Sequence, residues 1–202
     1  MPVLPNIAME ILNLIDNENS VPADFENIVE NDQVMTLKVL KLANPAYYGY
    51  PREIINIKDA IVILGLDTLK SLVLSLLTRQ ILSKDLDTYG LGKGQLWEHS
   101  LSVAMIARAI AKAVKLNNHE RYFVAGLLHD VGKLLLDYYL KENKDKLRDQ
   151  ITTGGLDFTE AEERIVGYDH AFIGSKLIEN WNLPEMLVEI IRYHHSNEKA
   201  PS

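Results

Sequence analysis

The apolar residues along the chain recur with a helical period from the first positions onward. Ile7, Ile11, Leu14 and Ile15 fall near one face of a first helix. The same three- and four-residue spacing predicts four more helices in the N-terminal half, over residues 22–29, 32–44, 56–65 and 68–82. We expect Asp32, Asn56 and Asp67 to cap three of these helices and Gly65 to end one. Asn44-Pro45 should end another, and a loop should follow at residues 47–51.

The second half of the chain repeats the helical pattern. It predicts helices over residues 96–116, 121–139, 159–166, 169–181 and 184–194, with residues 141–149 as a charged continuation or a solvated loop. The helix at 159–166 is expected to open with a capping box, in which Thr159 is the cap and Glu162 reaches back. Strand-like alternation is lacking, so the predicted fold class is all-α with two helical subdomains.

The boundary between the two subdomains is predicted from a change in composition. Residues 83–95 contain three glycines and mixed polar residues, which is typical of a linker. We therefore expect an N-terminal helical subdomain at 1–82, a linker at 83–95 and a C-terminal helical subdomain at 96–202.

The composition fits an ordinary globular protein. Of the 202 residues, 47% are hydrophobic and 24% are charged, which suffices for a core. The chain has no cysteine, so disulfides, thiolate metal sites and a cysteine nucleophile are excluded. The N-terminus lacks the features of a signal peptide, and Lys70 and Arg79 interrupt the most apolar stretch. We therefore predict a cytoplasmic protein without membrane contact.

The charge balance bears on the partners. The formal net charge is −7, and no run of basic residues occurs. Because phosphate backbones are bound by clustered Lys and Arg, we expect no nucleic-acid partner. A small anionic ligand, held by one or two cations and a metal, stays open. The cations of the N-terminal half, including Lys70, are predicted to be solvated.

Five of the six histidines, together with one aspartate, are candidates for a metal site. They are His99, His129, Asp130, His170, His194 and His195. Imidazole and carboxylate ligands suit Fe, Mn, Ni, Co or Zn, and no organic cofactor is expected. Taken singly, each residue could instead be a hydrogen-bonded core residue, a helix cap or a surface residue. The sixth histidine, His119, is predicted to be a solvated loop residue.

The two pairs of adjacent candidates impose a geometric condition. Neighbouring residues on a regular helix point about 100° apart, because the helix has 3.6 residues per turn. His129 and Asp130 can therefore face one metal only where the helix ends or is distorted, and Gly132 would ease such a distortion. The same condition applies to His194-His195.

In their order along the chain, these residues resemble a known family. The run His129-Asp130-Val131-Gly132-Lys133 resembles the signature of the HD superfamily of metal-dependent phosphohydrolases. The whole chain resembles one branch, the HDOD domain (HD-related output domain). Its motifs occur at Leu4-Pro5, Asn31-Asp32, 40–44, 57–65, 96–100, 125–130, Glu163, 167–170, 181–184 and 191–195.

The resemblance implies an HD-type helical bundle in the C-terminal subdomain. In the related HD-GYP phosphodiesterases, matching residues bind two or three metals and hydrolyse cyclic dinucleotides. The resemblance therefore implies metal ligation by the six candidates. In an enzyme, Asp130 would be catalytic, Lys133 would contact a substrate phosphate as a point charge, and the ions would lower the pKa of a nucleophilic water.

Two departures from the HD-GYP pattern shape the functional prediction. Ser196-Asn197-Glu198 follows His195 in place of the Gly-Tyr-Pro run, and no Asp of a later helix follows within the printed chain. HDOD domains are regarded as regulatory output modules. We therefore predict a bacterial signal-transduction module with a signalling protein or a small anionic ligand as its partner. The alternative is a metal-dependent phosphohydrolase or cyclic-nucleotide phosphodiesterase, so enzyme activity stays open.

Overall fold

The computed structural model of the chain describes residues 3–17, 19–44, 54–196 and 198. These residues form helices and connecting segments; no strand occurs among them, and Leu86 and Leu91 make one isolated antiparallel bridge. The predicted all-α fold class is confirmed. The loop predicted at residues 47–51 lies outside the described residues.

The chain divides into two compact units, Leu4–Thr78 and a second one of Met1–Val3 with Arg79–Ser202, and the division falls within the fifth helix. The first five helices are α1 (Asn6–Asp16), α2 (Pro22–Glu30), α3 (Gln33–Ala43), α4 (Ile57–Leu64) and α5 (Leu66–Leu82). The later helices are α6 (Gln95–Ala113), α7 (His119–Leu128), α8 (Lys133–Leu140), α9 (Lys144–Thr152), α10 (Phe158–Val166), α11 (His170–Asn180) and α12 (Glu185–Tyr193). Short 3-10 turns lie at Asp87–Tyr89 and Lys141–Asn143. The subdomain boundaries drawn from the sequence stay a prediction.

Side-chain caps determine where two N-terminal helices begin. Asp32 accepts a hydrogen bond from the Met35 amide at 2.9 Å, and Asn56 accepts one from the Asp59 amide at 2.7 Å. Both bonds satisfy amides that have no partner within the helix. These predicted caps are confirmed. The capping role predicted for Asp67 is wrong, because α5 already begins one residue earlier.

Lys70 is buried in the N-terminal unit. Its side chain is 5% exposed and donates to the Leu14 carbonyl, in the last turn of α1, at 3.1 Å. Carbonyls at a helix C-terminus lack partners within the helix and carry partial negative charge, so they accept an ammonium well. The prediction that Lys70 is solvated is wrong for this reason.

The single helix predicted at 121–139 is two helices. α7 ends at Leu128 and α8 begins at Lys133, and between them the Val131 amide bonds to the Leu128 carbonyl at 3.0 Å. Such i to i+3 bonds mark a tightened turn. Gly132 lies here against α11: a Cβ at this position would overlap the His170 carbonyl oxygen. Gly132 has an ordinary helical φ of −62°, so close approach, rather than the predicted conformational freedom, requires the glycine.

The segment at residues 83–95 packs into the C-terminal unit. Leu86 is 2% exposed and Tyr89 is 9% exposed, and the Thr88 amide donates to Asp137 of α8 at 3.1 Å. Of the two alternatives for residues 141–149, the helical one is confirmed.

Within the described part of the chain, no single helix is both long enough and apolar enough to cross a membrane. α4 and α5 reach that length and composition only when taken together, and they are bent by 116°.

Candidate metal centre

The structure brings together all six residues predicted as metal ligands. They form two groups that share Asp130, and within each group the potential ligand atoms lie within 4.8 Å of one another. The first group contains Asp130, His170, His194 and His195, and the second contains His99, His129 and Asp130. His119 belongs to neither group, although it is the half-buried first residue of α7 rather than a loop residue.

The ends of helices position these side chains. His129-Asp130 lies in the turn after α7, and His194-His195 follows the last residue of α12. Each pair therefore meets the geometric condition for adjacent residues, because a regular helix does not continue through it. His170 begins α11, and His99 lies near the start of α6.

One carboxylate oxygen of Asp130 faces the first group. His170 Nε2 lies 3.2 Å from Asp130 Oδ1, and His194 Nε2 lies 3.8 Å from it. His195 Nε2 is 2.9 Å from His170 Nε2. Ligands at the corners of a zinc-sized tetrahedron lie about 3.3 Å apart, since metal–ligand distances are about 2.0–2.1 Å. The spacing of the first group is close to this value.

The other oxygen of Asp130 faces the second group and a lysine. Lys133 Nζ donates to Asp130 Oδ2 at 2.6 Å, while His129 Nε2 is 3.4 Å and His99 Nε2 is 3.7 Å away. The ammonium of Lys133 thus already neutralises charge on this oxygen. His99 is more than half exposed, so this group opens to solvent.

Hydrogen bonds to backbone carbonyls fix the orientation of two imidazoles. His129 Nδ1 lies 2.8 Å from the Gly126 carbonyl, and His194 Nδ1 lies 2.7 Å from the Ile191 carbonyl. A carbonyl only accepts, so each Nδ1 carries a proton, and each Nε2 is left on the side of the ring that faces Asp130, where the neutral imidazole offers a lone pair to a metal. Metal-binding histidines are commonly held in this way.

His170 is oriented by a residue that the sequence analysis did not predict. Glu162 is fully buried, and it accepts from His170 Nδ1 at 2.8 Å and from the His170 backbone amide at 2.7 Å. Tyr89 in turn donates its hydroxyl hydrogen to Glu162 at 2.8 Å. Two successive hydrogen bonds therefore connect Tyr89 through Glu162 to His170, a residue of the first group. We call this chain of hydrogen bonds the Tyr89–Glu162–His170 relay.

The predicted role of Glu162 in a capping box is wrong. α10 begins two residues earlier than the predicted cap requires, so Asp157 is the cap and accepts from the Glu160 amide at 2.8 Å. Glu160 completes the box, and Glu162 then turns inward toward α11. A Ser/Thr/Asp-x-x-Glu pattern occurs in two overlapping registers here, and the sequence offers no signal to choose between them.

Asp130 and His170 stabilise each other's charged forms. Burial opposes ionisation of Asp130, but its interactions with the imidazoles of His129, His170 and His194 outweigh burial and hold the pKa of Asp130 far below its usual range. Burial also disfavours the charged form of His170. Its interactions with Asp130 and Glu162 are stronger and raise the pKa of His170.

The more exposed imidazoles favour the neutral form. Burial, followed by the nearby charges of His194 and His170, lowers the pKa of His195 to about 4. Burial also lowers the pKa of His99, against the attraction of Asp130. The neutral imidazole is the form that binds a metal ion.

Two buried polar atoms of the centre are suited to bind a cation. Within the described residues, Asp130 Oδ1 and His194 Nε2 are inaccessible to solvent and make no aligned hydrogen bond. An unsatisfied buried carboxylate oxygen is costly, and so is an imidazole lone pair turned toward it. Both would be satisfied by a metal ion, so the residues present fit a divalent transition metal.

Comparison with known proteins assigns the family. The model of the HDOD domain matches residues 1–197. The chain belongs to the HDOD domain family. This match confirms the resemblance drawn from the sequence.

Solved structures of HDOD-like proteins are similar to this one. An HDOD domain protein of unknown function from Geobacter sulfurreducens has a TM-score of 0.84 and 32% identity, over 100% of this chain and 67% of that chain. A proposed phosphohydrolase from Shewanella amazonensis SB2B has a TM-score of 0.79 and 29% identity, over 99% of this chain and 70% of that chain. A proposed signal transduction protein from Marinobacter aquaeolei VT8 has a TM-score of 0.81 and 25% identity, over 100% of this chain and 45% of that chain.

A curated relative is longer than this HDOD domain. An uncharacterized protein of Treponema pallidum (strain Nichols) is 28% identical over 203 residues, and the chain spans 39% of its length.

Proposed function

We propose that this HDOD domain is a cytoplasmic output module of bacterial signal transduction that holds one divalent transition metal at Asp130, His170, His194 and His195. The module acts by binding a signalling protein or a small anionic ligand, without nucleic-acid or membrane contact. The observation that carries the proposal is the buried carboxylate of Asp130, which faces imidazoles already oriented to present their Nε2 atoms. The likeness to a proposed signal transduction protein supports the regulatory role.

The number of ligands favours a regulatory site over a catalytic one. Structural zinc sites are closed by four protein ligands, whereas catalytic sites keep one position open for water or substrate. The first group supplies four ligands. Lys133 already balances the charge of the opposite oxygen of Asp130, so a second ion gains little there.

These residues join three parts of the C-terminal unit. Asp130 lies between α7 and α8, His170 begins α11, and His194-His195 follows α12. A bound divalent cation would be shared by these four residues. The same residues would then hold the helix ends in one arrangement, which a partner can recognise.

The metal content of the purified chain tests the proposal. After reconstitution with Mn, Fe, Ni or Zn and removal of loosely bound ions, we expect one metal ion per chain by elemental analysis. No retained metal with any of the four would overturn the proposal.

A phosphohydrolase is the second candidate, and the solvent-facing group favours it. His99 is 55% exposed, and Lys133 lies at Asp130, where a substrate phosphate could reach both residues. The likeness to a proposed phosphohydrolase supports this candidate.

A turnover assay separates the two candidates. With the metal-loaded chain and bis(4-nitrophenyl) phosphate, the regulatory proposal predicts no metal-dependent release of 4-nitrophenol. Release that disappears in Asp130→Ala would establish the phosphohydrolase instead. Release that survives this substitution would come from a contaminant.

A further inference from the structure

A cavity of about 340 Å³ lies in the C-terminal unit, apart from the metal centre. It opens to solvent, and the 3-10 turn at Asp87–Tyr89, one face of α9 and the start of α10 line it. Pockets that hold small molecules begin at about 300 Å³. The cavity is therefore large enough for a ligand of one or two rings.

The lining of the cavity defines a class of ligand. Its walls are mostly apolar, and the lining residues include Leu147, Ile151, Tyr89 and Phe158. Two cations, Lys144 and Arg148, lie at the cavity one helical turn apart. An apolar body with one negative charge matches this lining.

The two cations differ in availability. Lys144 is paired with Asp87 at 2.6 Å. Arg148 is exposed and forms no ion pair with any residue that the structure describes. A guanidinium can bind a carboxylate through two parallel hydrogen bonds, so Arg148 is the anchor for an organic acid.

Tyr89 connects this cavity to the metal centre. Tyr89 and Phe158 are both lining residues, and their rings lie 5.7 Å apart, while the Tyr89 hydroxyl donates to Glu162. Glu162 orients His170. A molecule packed against the Tyr89 ring would favour the position in which the hydroxyl reaches Glu162, and a metal on His170 favours the same arrangement.

We propose that this cavity binds a small organic anion with an apolar body, and that the Tyr89–Glu162–His170 relay couples its occupancy positively to metal binding. The coupling rests on the metal site proposed above, whereas binding to the cavity does not.

Calorimetric titration with 2-naphthoate tests the cavity, and the neutral isostere 2-naphthamide tests the charge. On the metal-free chain, we expect saturable binding of one naphthoate and about tenfold weaker binding of the amide, because the charged hydrogen bonds are lost. Arg148→Glu should also weaken naphthoate binding at least about tenfold. Lys146→Glu, on α9 but outside the cavity, is the matched control and should bind naphthoate like the unaltered chain. Absence of saturable binding, equal binding of the amide, or equal loss in both variants would overturn the proposal.

A second titration tests the coupling. With zinc bound, naphthoate should bind about fivefold more tightly, and by thermodynamic reciprocity naphthoate should tighten zinc binding by the same factor. Tyr89→Phe keeps the ring but not the hydroxyl, so the ratio of its naphthoate affinities with and without zinc should fall from about five to about one. A chain that binds both ligands independently, or a coupling that persists in Tyr89→Phe, would overturn the relay. A chain that binds naphthoate but no metal would refute the proposed metal site and the coupling, and leave the cavity assignment standing.

Discussion

Asp130→Ala is expected to retain no metal ion under conditions in which the unaltered chain retains one. Asp130 is the carboxylate that both groups of ligands share, and its two oxygens face the two groups from opposite sides. Its partners there are neutral or cationic imidazoles and the ammonium of Lys133. A divalent cation placed among them without Asp130 would be a buried charge without compensation. The loss should therefore exceed the 10- to 100-fold typical of residues that only orient a ligand.

Two further variants separate loss of ligation from loss of folding. Asp130→Asn keeps the volume of the side chain and removes its charge, so it should also lose the metal while its helical circular dichroism stays near that of the unaltered chain. Asp149→Ala, at an exposed aspartate of α9, should keep full metal content. Partner capture that persists in Asp130→Ala would show that the interaction surface does not need the ion. Metal content unchanged in both Asp130 variants would refute ligation by Asp130.

Glu162→Gln is expected to lower metal affinity by about 10- to 100-fold, with little change in helix content. Glu162 accepts the Nδ1 proton of His170, which fixes the ring and makes Nε2 a stronger donor to a metal. Glutamine has nearly the same shape but lacks the charge. Removing that charge should also bring the pKa of His170 down from its raised value, because the interaction with Glu162 helps to raise it.

The neighbouring residue supplies the control for Glu162. Glu163 is exposed on the same helix, and Glu163→Gln should leave both metal affinity and the pKa of His170 unchanged. Zinc competition against a chromophoric chelator and titration of the His170 ring by NMR measure the two quantities. Equal affinities for the two variants would show that Glu162 contributes only to packing.

The set of candidate ligands could be predicted from the sequence because it is the order and spacing of the histidines and the aspartate that distinguish them. His99, His129-Asp130, His170 and His194-His195 are separated by apolar helical segments, and the need for helix ends at the two pairs follows from 3.6 residues per turn. The structure places the helix ends at both pairs. Assignment of the six residues as ligands of a real ion stays a prediction.

The residues that orient His170 could not be predicted, because their roles depend on tertiary contacts. Tyr89 lies in a glycine-rich segment that resembles a linker, and its burial comes from contact with α10. Glu162 fits a local capping pattern, and only the approach of α11 gives it His170 as a partner. A glycine is likewise needed at position 132 because a Cβ there would overlap the backbone of α11, and its own φ is one that any residue can adopt. The local hydrophobic spacing predicts the helices, whereas the Tyr89–Glu162–His170 relay forms only through packing between segments that are distant in sequence.

Anomalous diffraction from crystals of the zinc-loaded chain tests the central claim most directly. The account predicts one anomalous peak per chain, about 2.0–2.2 Å from Nε2 of His170, His194 and His195 and from a carboxylate oxygen of Asp130. A zinc-loaded crystal without a peak among these four residues, or with its peak at His119 instead, would contradict it.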